Sequence, residues 1–330
     1  MRVAVLGAGA WGTTVASLTA GRNRTVLWAR NPDDAREIND RHRNSKRLPG
    51  FDLPAELLAT SDLEEAVADC DVLVVGVPTA GFRAALTAAA PYVRPWIPVV
   101  SLAKGFEAGS MLRMTEVIKE VLPGRPAAAL TGPNLAKEIM GGNAAASVIA
   151  TEDQDVAAAL QRVLGRGMFR IYRNHDVIGC EVGGALKNVV AIATGMAQGL
   201  SVGDNTRGSV ITRGLAEITR VGVALGAEPA TFAGLAGMGD LITTCISPQS
   251  RNRYVGEQLG LGRPLKDILA EMTAVAEGVR TAVTLAEIAE RFRLDLPVCG
   301  EVSRVVLGKI DAHEAYRGLE VRAGHESEPG

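Results

Sequence analysis

The sequence predicts an α/β protein, in which a doubly wound, mostly parallel sheet is followed by an all-helical C-terminal domain. In the first half of the chain, short runs of Val, Leu and Ala alternate with longer amphipathic stretches. This alternation is typical of parallel strands that helices cover on both faces. After about His175 the strand-like runs end, and helical periodicity continues to about Gly308. Because 330 residues exceed one ordinary domain, we expect two, 1–176 and 177–330.

Each predicted strand of the first domain is a short apolar run. Six strands are expected to form the parallel sheet, over Arg2–Leu6, Thr25–Ala29, Glu56–Ala59, Val72–Val77, Ile97–Ser101 and Ala127–Leu130. Two further runs, Asn143–Ala150 and Met168–Tyr172, are expected to add edge strands around a helix over Asp153–Leu164. Pro32 directly after Asn31 is a typical helix start between two strands.

The second domain is predicted from helical periodicity alone. Its longest helix is expected from Val177 to about Leu200, and shorter helices are expected over Ser209–Leu225, Arg251–Leu259, Pro264–Met272, Gly278–Arg291 and Val298–Leu307. From about Gly318 the residues are polar, rich in Gly and without periodicity. We therefore expect a non-helical tail there.

Composition and charge exclude several classes of protein. With 35 basic and 37 acidic residues the formal charge is -2, which gives no electrostatic reason to expect nucleic-acid binding. Four cysteines without a CxxC pair and four histidines without paired spacing predict neither a disulfide framework nor a metal site. Glycines interrupt the apolar N-terminal stretch, and Val189–Ala197 is shorter than a membrane span. We therefore expect a cytoplasmic protein without membrane insertion.

The segment Gly7-Ala8-Gly9-Ala10-Trp11-Gly12 has the G-x-G-x-x-G spacing between a predicted strand and a predicted helix. In that context the first glycine permits a tight turn, the second lets the backbone approach a pyrophosphate, and the third allows close packing of helix and strand. The N-terminus of the helix adds N–H donors for the diphosphate. The first domain is therefore predicted to be a Rossmann-type dinucleotide-binding domain. A tight turn without a ligand is the alternative.

Residue 30 bears on which dinucleotide is bound. A domain selective for NAD usually has an acid after the second strand, whereas this chain has Leu27-Trp28-Ala29-Arg30-Asn31. An arginine can pair with a 2′-phosphate, which an acid would repel. We therefore expect NADPH, with NADH still open. A solvated surface arginine is the alternative role for Arg30.

Polar residues also follow the predicted fifth and sixth strands. Lys104 lies in Ser101-Leu102-Ala103-Lys104-Gly105, and Gly132 and Asn134 lie in Thr131-Gly132-Pro133-Asn134. Open parallel sheets bind ligands at the carboxyl ends of their strands. Because both segments lie at this edge, we favour a ligand-binding role for each. The alternatives are a solvated charge for Lys104 and an ordinary turn for the Gly132 segment.

Three further candidates lie in the helical domain. Lys187 has Gly184 and Ala191 on the same helix face, which leaves room around its ammonium group. Its side chain could therefore face inward, where lysine seldom lies without a task. The alternative is that it extends to solvent at the edge of the helix. Gly237-Met238-Gly239-Asp240 offers a loop carboxylate. Ser250-Arg251-Asn252-Arg253 is a predicted helix start suited to phosphate, with an ordinary serine cap as the alternative.

Taken in order, these segments resemble the bacterial type of NAD(P)-dependent sn-glycerol-3-phosphate dehydrogenases. The resemblance extends to about Leu307, and the motifs that carry it include SLAKGFE at Ser101–Glu107, GPNLAKEI at Gly132–Ile139, EVGGALKNVVAIATG at Glu181–Gly195, AGMGDLITTCIS at Ala236–Ser247 and SRNR at Ser250–Arg253. It implies reversible reduction of dihydroxyacetone phosphate to glycerol 3-phosphate with NAD(P)H, which supplies the backbone of glycerophospholipids. A related β-hydroxyacid-type NAD(P) dehydrogenase is the alternative.

The resemblance also implies roles for individual residues. Lys187, the lysine of GGALKN, is implied as the catalytic acid and base. The residues expected to contact the small-molecule substrate are Lys104, Gly132, Asn134, Lys187, Asp240, Ser250, Arg251 and Asn252. Cofactor contacts are implied for the glycine-rich segment, including Trp11, and also for Arg30, Lys104, Ala136, Arg251, Val275 and Glu277. A homodimer is compatible with the sequence, which does not fix the oligomeric state.

Overall fold

The computed structural model describes residues 1–272 and 276–321, with side chains as far as residue 317. The chain divides into two compact units, Met1–Glu181 and Val182–Gly330. The predicted fold class is confirmed: the first unit is a mostly parallel sheet with helices, and the described part of the second is helical. The assignment of separate functional domains to 1–176 and 177–330 stays a prediction.

The predicted strands are all present and form one sheet within residues 1–181. Their bounds are β1 Arg2–Leu6, β2 Arg24–Trp28, β3 Leu58–Thr60, β4 Val72–Val75, β5 Val99–Ser101, β6 Ala127–Thr131, β7 Ala145–Ala150 and β8 Phe169–Asn174. The spatial order is β3-β2-β1-β4-β5-β6-β7-β8, and neighbouring strands are parallel except β6 and β7. Because the order reverses between β1 and β4, their carboxyl ends border a crevice of the kind that binds ligands.

Helices pack against both faces of this sheet. They are α1 Ala10–Ala20, α2 Pro32–Arg41, α3 Leu63–Val67, α4 Thr79–Ala89, α5 Met114–Val121, α6 Ala136–Met140 and α7 Gln154–Leu164. Val3 and Val5 of β1 share an apolar cluster with Val15 of α1. Leu6 lies in a second cluster with Phe82 of α4. Alternate side chains of one strand thus enter two cores, which explains the uninterrupted apolar runs.

The second unit is built around a long helix, α8 Val177–Gly199, which begins in the last residues of the first unit. The predicted helices that follow are present, and α9 begins five residues before its expected start. In chain order the elements are α9 Asp204–Ala224, α10 Pro229–Phe232, a π-helical turn Leu235–Gly239, α11 Asp240–Ile246, α12 Arg251–Gly260, α13 Leu265–Glu271, α14 Glu277–Phe292, α15 Pro297–Val306 and α16 Ala312–Val321.

Glycines allow the backbones of α8 and α12 to touch. A Cβ on Gly195 would lie 2.0 Å from the carbonyl oxygen of Arg253. A Cβ on Gly256 would lie 2.0 Å from the carbonyl oxygen of Ile192. Any side chain at these glycines would force the helices apart, so the start of α12 is held at a fixed place beside α8.

The prediction of a non-helical tail from Gly318 is wrong for residues 318–321, which end α16. The helix begins with a reciprocal cap, because Glu314 N–H donates to the Asp311 carboxylate (2.8 Å) and Asp311 N–H donates to the Glu314 carboxylate (3.1 Å). Ala312 and Ala315 are buried against the rest of the unit. This packing supports a helix that periodicity alone did not reveal. The remainder of the predicted tail, 322–330, lies outside the described residues.

The apolar segment of α8 is longer than the nine residues predicted. In the described part of the chain, α8 is long and apolar enough to cross a membrane, and a bent pair, Pro229–Ile246 with Arg251–Gly260, passes the same test as one span. The most apolar 18-residue window of α8 is 94% buried inside the protein. A central helix packed on all sides needs the same composition, so its burial accounts for its hydropathy.

Candidate active site

The glycine-rich segment after β1 forms the turn that its spacing predicts. Gly7 has a φ of +105°, and a Cβ there would lie 2.9 Å from the carbonyl oxygen of Gly76, which follows β4. A Cβ on Gly12 would lie 2.1 Å from the carbonyl oxygen of Gly7. A side chain at Gly12 would therefore push apart the two ends of the turn, and a side chain at Gly7 would push the turn away from the segment after β4.

Gly9 differs from its neighbours because the space beside it is open. A Cβ there would meet no heavy atom within 4 Å. Gly9 is also the N-cap residue of α1, and within the described residues no side chain caps that helix. The first N–H groups of α1 are thus available to an anion, beside a backbone that leaves room for one. This arrangement fits the pyrophosphate of a dinucleotide.

The other cofactor candidates of this unit lie near strand ends and helix starts. The ring of Trp11 meets Phe169 edge-on at 6.0 Å, and its buried indole N–H has no partner among the described residues. Ala10 and Ala136 are the first residues of α1 and α6. Arg30 is exposed two residues after β2. An exposed cation at this strand end can reach a 2′-phosphate.

The structure brings Lys104, Gly132 and Asn134 together at the carboxyl ends of β5 and β6. The Lys104 ammonium donates to the carbonyl oxygen of Gly132 (2.8 Å) and to the side-chain oxygen of Asn134 (2.6 Å). Gly132 has a φ of +114°. The buried side-chain nitrogen of Asn134 has no partner in the part of the chain that the structure describes. The Lys104 ammonium and the Asn134 side-chain nitrogen are both N–H donors, and such donors suit an oxygen-rich ligand.

An ion-pair network supports the loop that carries Lys104. Arg83 binds Glu107 through two hydrogen bonds of 2.8 Å and also reaches Glu120 (2.7 Å). Ser110 donates to the Glu107 carboxylate (2.6 Å). The Arg83 guanidinium thereby holds the pKa of Glu107 below its usual range, with Ser110 adding to the effect. The loop after β5 is thus tied to α4 and α5.

In the second unit, the side chain of Lys187 is buried, with a relative exposure of 8%. Its ammonium forms a buried ion pair with Asp240 and donates to the Thr244 hydroxyl (2.7 Å). The Thr244 hydroxyl in turn donates to the carbonyl oxygen of Asp240 (2.6 Å), one helical turn earlier. Among the described residues these contacts use two of the three ammonium protons. The third can be given to a substrate.

The prediction that Asp240 lies in a loop is wrong, because it is the first residue of α11 and only 1% exposed. Gly237 packs so tightly on Phe232 that a Cβ there would lie 2.2 Å from the Phe232 carbonyl oxygen. The glycines that indicated a loop instead allow the close turn before α11. Thr244, which sequence reasoning missed, follows Asp240 at the i+4 spacing of one helix face. Assigning this segment to a helix would have revealed it.

The thiol of Cys245, near the Lys187–Asp240 ion pair, is not activated as a nucleophile. Burial raises the pKa of Cys245 to about 11, although the Thr194 side chain and the Lys187 ammonium act in the opposite direction. At neutral pH it therefore stays protonated and unreactive.

Within residues 1–272 and 276–321, no group of three or more His, Cys, Asp or Glu is placed to hold a metal ion.

The start of α12 combines a serine cap with exposed and buried polar groups. The Ser250 hydroxyl accepts from Arg253 N–H (3.3 Å), so Ser250 is a cap. Arg251 is exposed, whereas the Arg253 guanidinium donates to the Ser247 carbonyl oxygen (3.0 Å) and to Gln198. Of the two arginines, Arg251 is the more exposed to solvent.

Asn252 connects three helices. Its side-chain nitrogen donates to the side-chain oxygen of Asn188 on α8 (2.9 Å), and its oxygen accepts from Gly278 N–H at the start of α14 (3.0 Å). Glu277 is the first residue of α14. Val275, predicted to contact the cofactor, lies outside the described residues. The start of α12, Asn188 and the start of α14 are thus held together within the second unit.

A glycine turn of the dinucleotide-binding type in one unit and a buried lysine paired with a carboxylate in the other are features that fit a nicotinamide-dependent oxidoreductase. Comparison with known proteins makes the assignment specific. Residues 2–157 match the family model of the NAD-dependent glycerol-3-phosphate dehydrogenase N-terminus, and residues 176–317 match that of its C-terminus. The chain belongs to this family.

Relatives of known name support the same assignment. The chain is 53% identical to "Glycerol-3-phosphate dehydrogenase [NAD(P)+] 2" of Sphingopyxis alaskensis, over 100% of this chain and 99% of the relative. It is 51% identical to the "Glycerol-3-phosphate dehydrogenase [NAD(P)+]" of Mycobacterium avium, over 98% and 96%. A crystal structure of glycerol-3-phosphate dehydrogenase from Coxiella burnetii superimposes with a TM-score of 0.93 at 33% identity, over 97% of this chain and 99% of that one.

Proposed function

We propose that this protein reversibly reduces dihydroxyacetone phosphate to sn-glycerol 3-phosphate with NAD(P)H, and so supplies the backbone of glycerophospholipids. The observation that carries the proposal is the buried Lys187 ammonium, which is oriented by Asp240 and Thr244 and retains a proton for a substrate oxygen. Lysine rarely lies inside a protein unless it is paired or has a chemical task. Here the pairing leaves the proton-donating role intact.

The proposed cofactor site uses the open backbone at Gly9 and the start of α1, which no side chain caps among the described residues, for the pyrophosphate. The full set of proposed cofactor residues is Gly7, Gly9, Ala10, Trp11, Gly12, Arg30, Lys104, Ala136, Arg251, Val275 and Glu277. Because Arg30 is an exposed cation where an NAD-selective domain would have an acid, NADPH is the preferred cofactor and NADH the poorer one.

The proposed substrate site takes its donors from residues that the structure orients. Lys104 and the side-chain nitrogen of Asn134, which has no partner among the described residues, support this role in the first unit. Arg251 at the start of α12 supports a role for that helix start in binding phosphate. The proposed substrate residues are Lys104, Gly132, Asn134, Lys187, Asp240, Ser250, Arg251 and Asn252.

The proposed mechanism assigns the proton transfer to Lys187. When bound, the nicotinamide cofactor would supply the hydride for the ketone carbon. As negative charge develops on the ketone oxygen, the Lys187 ammonium donates a proton to it and becomes a neutral amine, which solvent protonates again. Asp240 and Thr244 hold the nitrogen in place during the transfer. In the oxidation direction the neutral amine accepts the hydroxyl proton.

Several broader assignments accompany this function. We propose that residues 1–176 bind the dinucleotide and 177–330 carry the substrate and catalytic groups. The partner is a small molecule, without nucleic acid or membrane insertion, and the place of action is the cytoplasm, which is consistent with four buried free cysteines. A homodimer is compatible with the sequence, which does not fix the oligomeric state.

An assay of cofactor oxidation tests the function. Purified protein should oxidise NADPH when dihydroxyacetone phosphate is added, and NADH more slowly. A carboxylate ketoacid should give no comparable rate, which separates the proposal from a β-hydroxyacid-type dehydrogenase. Turnover of the ketoacid in preference to the phosphorylated ketone would overturn the proposal.

A further inference from the structure

We propose that Asn44 is a positioning residue for the dinucleotide, because it locks the glycine-rich turn in its anion-binding shape. This inference rests on the proposed function in one respect, namely that the turn binds the pyrophosphate of NAD(P)H. Asn44 lies in the loop between α2 and β3 and is absent from the residues that the sequence motifs point to.

The side chain of Asn44 is buried and fully hydrogen-bonded. Its exposure is 2%, and its nitrogen donates to the carbonyl oxygen of Ala8 (3.0 Å) and to the hydroxyl of Thr13 (2.8 Å). Its oxygen accepts from Arg47 N–H (3.2 Å). One amide group thus binds the middle of the glycine-rich turn, the first turns of α1 and its own loop at the same time.

These contacts act at the point where the turn has most freedom. Ala8 lies between Gly7 and Gly9, and glycine restricts the backbone least. A peptide plane that is flanked by glycine can rotate unless its carbonyl oxygen is held. Holding the Ala8 oxygen fixes the orientation of the peptide between Ala8 and Gly9, next to the open space that fits a pyrophosphate.

The contact with Thr13 strengthens the same restraint. Thr13 is fully buried in α1, and its N–H donates to the carbonyl oxygen of Gly9 (2.9 Å). Asn44 therefore holds the turn and the helix start in one arrangement before any ligand binds. Preorganisation of this kind increases affinity because the ligand does not have to order the site.

The chain offers a matched control in Asn39 of α2. Its side-chain nitrogen donates to the Ala59 carbonyl oxygen (2.8 Å), and its oxygen accepts from Ala59 N–H (2.8 Å). Asn39 thus makes the same kind of bonds to the backbone, five residues before Asn44, but to β3 instead of the glycine-rich turn. Its replacement measures the loss of such bonds without disturbing the proposed site.

The experiment compares Asn44→Leu with Asn39→Leu in the full-length, substrate-free protein. Leucine has nearly the shape of asparagine and forms no hydrogen bonds. Dissociation constants are measured by cofactor fluorescence for NADPH and by competition for ADP-ribose and 2′-AMP. We expect Asn44→Leu to raise the Kd of NADPH and of ADP-ribose by about 10-fold, because both contain the pyrophosphate. The Kd of 2′-AMP, which lacks it, should not change.

The control variant and the pattern of ligands separate positioning from general damage. Asn39→Leu should leave all three dissociation constants unchanged. Partial unfolding would lower the number of binding sites for every ligand instead of weakening only those with a pyrophosphate. An unchanged Kd for NADPH in Asn44→Leu, or an equal rise for 2′-AMP, overturns the inference.

A second variant keeps the inference testable if Asn44→Leu does not fold. Thr13→Val preserves the shape of the side chain and removes the hydroxyl that accepts from Asn44, so the Kd of NADPH should rise by about 3-fold. In that case an unchanged Kd in Thr13→Val overturns the inference. A failure of the proposed function is distinguishable, since the parent protein would then bind NADPH without oxidising it in the presence of dihydroxyacetone phosphate.

Discussion

Replacing Lys187 with methionine tests the proposed proton transfer and the energetics of the buried ion pair together. Methionine fills a similar volume but has no proton to donate, so kcat should fall by about 10²- to 10⁴-fold, the usual contribution of general acid–base catalysis. The NADPH Kd should stay within about two-fold of the parent value, because the glycine-rich turn is untouched. Stopped-flow or steady-state oxidation of NADPH measures the first quantity and fluorescence titration the second.

The structure also predicts that Lys187→Met lowers the stability of the fold, which an activity assay would not reveal. Asp240 is 1% exposed, so loss of the Lys187 ammonium leaves its carboxylate buried without the cation that offsets its desolvation. Breaking such a pair from one side costs about 3–5 kcal/mol in the free energy of unfolding. Urea denaturation of the parent and of Lys187→Met measures this difference.

A double variant distinguishes the two effects. In Lys187→Met/Asp240→Asn both charges are gone, so most of the lost stability should return while kcat stays low. The assignment of Lys187 as proton donor would be refuted if the single variant kept activity within a few-fold of the parent. Recovery of activity together with stability in the double variant would show that Lys187 is only structural.

Three further predictions follow from the exposed and paired cations. Arg30→Asp should raise the KM for NADPH far more than that for NADH, because it replaces a cation beside the 2′-phosphate with an anion; equal changes would show that Arg30 does not bind the phosphate. Arg251→Ala should raise the KM for dihydroxyacetone phosphate by about 10- to 100-fold, and turnover of unphosphorylated dihydroxyacetone should be much less affected; an equal loss for both ketones would contradict a phosphate contact. Arg83 lowers the pKa of Glu107, so their pair stabilises the fold above the unfolded pKa of about 4 and loses this effect as pH falls. Arg83→Met should therefore cost about 1 kcal/mol at neutral pH, and the two stability curves should converge in acid, whereas a constant difference down to low pH would exclude the ion pair as the cause.

Local sequence signals were sufficient for the fold of the first unit. The central strands β4, β5 and β6 are buried along their whole length, so their apolar runs are visible without any knowledge of their partners. The glycine-rich turn was equally predictable, since its G-x-G-x-x-G spacing lies within one β-turn-α unit and Gly12 is required by contact with the backbone of Gly7 in that unit. Structural features that depend only on residues close together in the chain can therefore be predicted from the sequence.

Tertiary structure decided the details of the second unit. Asp240 is separated from Lys187 by more than fifty positions, and the intervening glycines indicated a loop where packing on Phe232 produces a turn into a helix. Helix α16 likewise depends on burial of Ala312 and Ala315 against other elements. Periodicity reports only which face of a helix is apolar, and it carries no information about which distant element will cover that face.

The sequence by itself determined the fold class, the dinucleotide turn and the identity of Lys187 as a candidate, because each depends on residue type and short spacing. Only the tertiary structure decided that Lys187 is paired with Asp240 and Thr244, that Asn252 joins three helix segments, and that Asn44 holds the Ala8 carbonyl oxygen. These are hydrogen bonds between groups far apart in the chain. Their geometry exists only once the surrounding elements have packed, since a single polar side chain gives no sign of its partner.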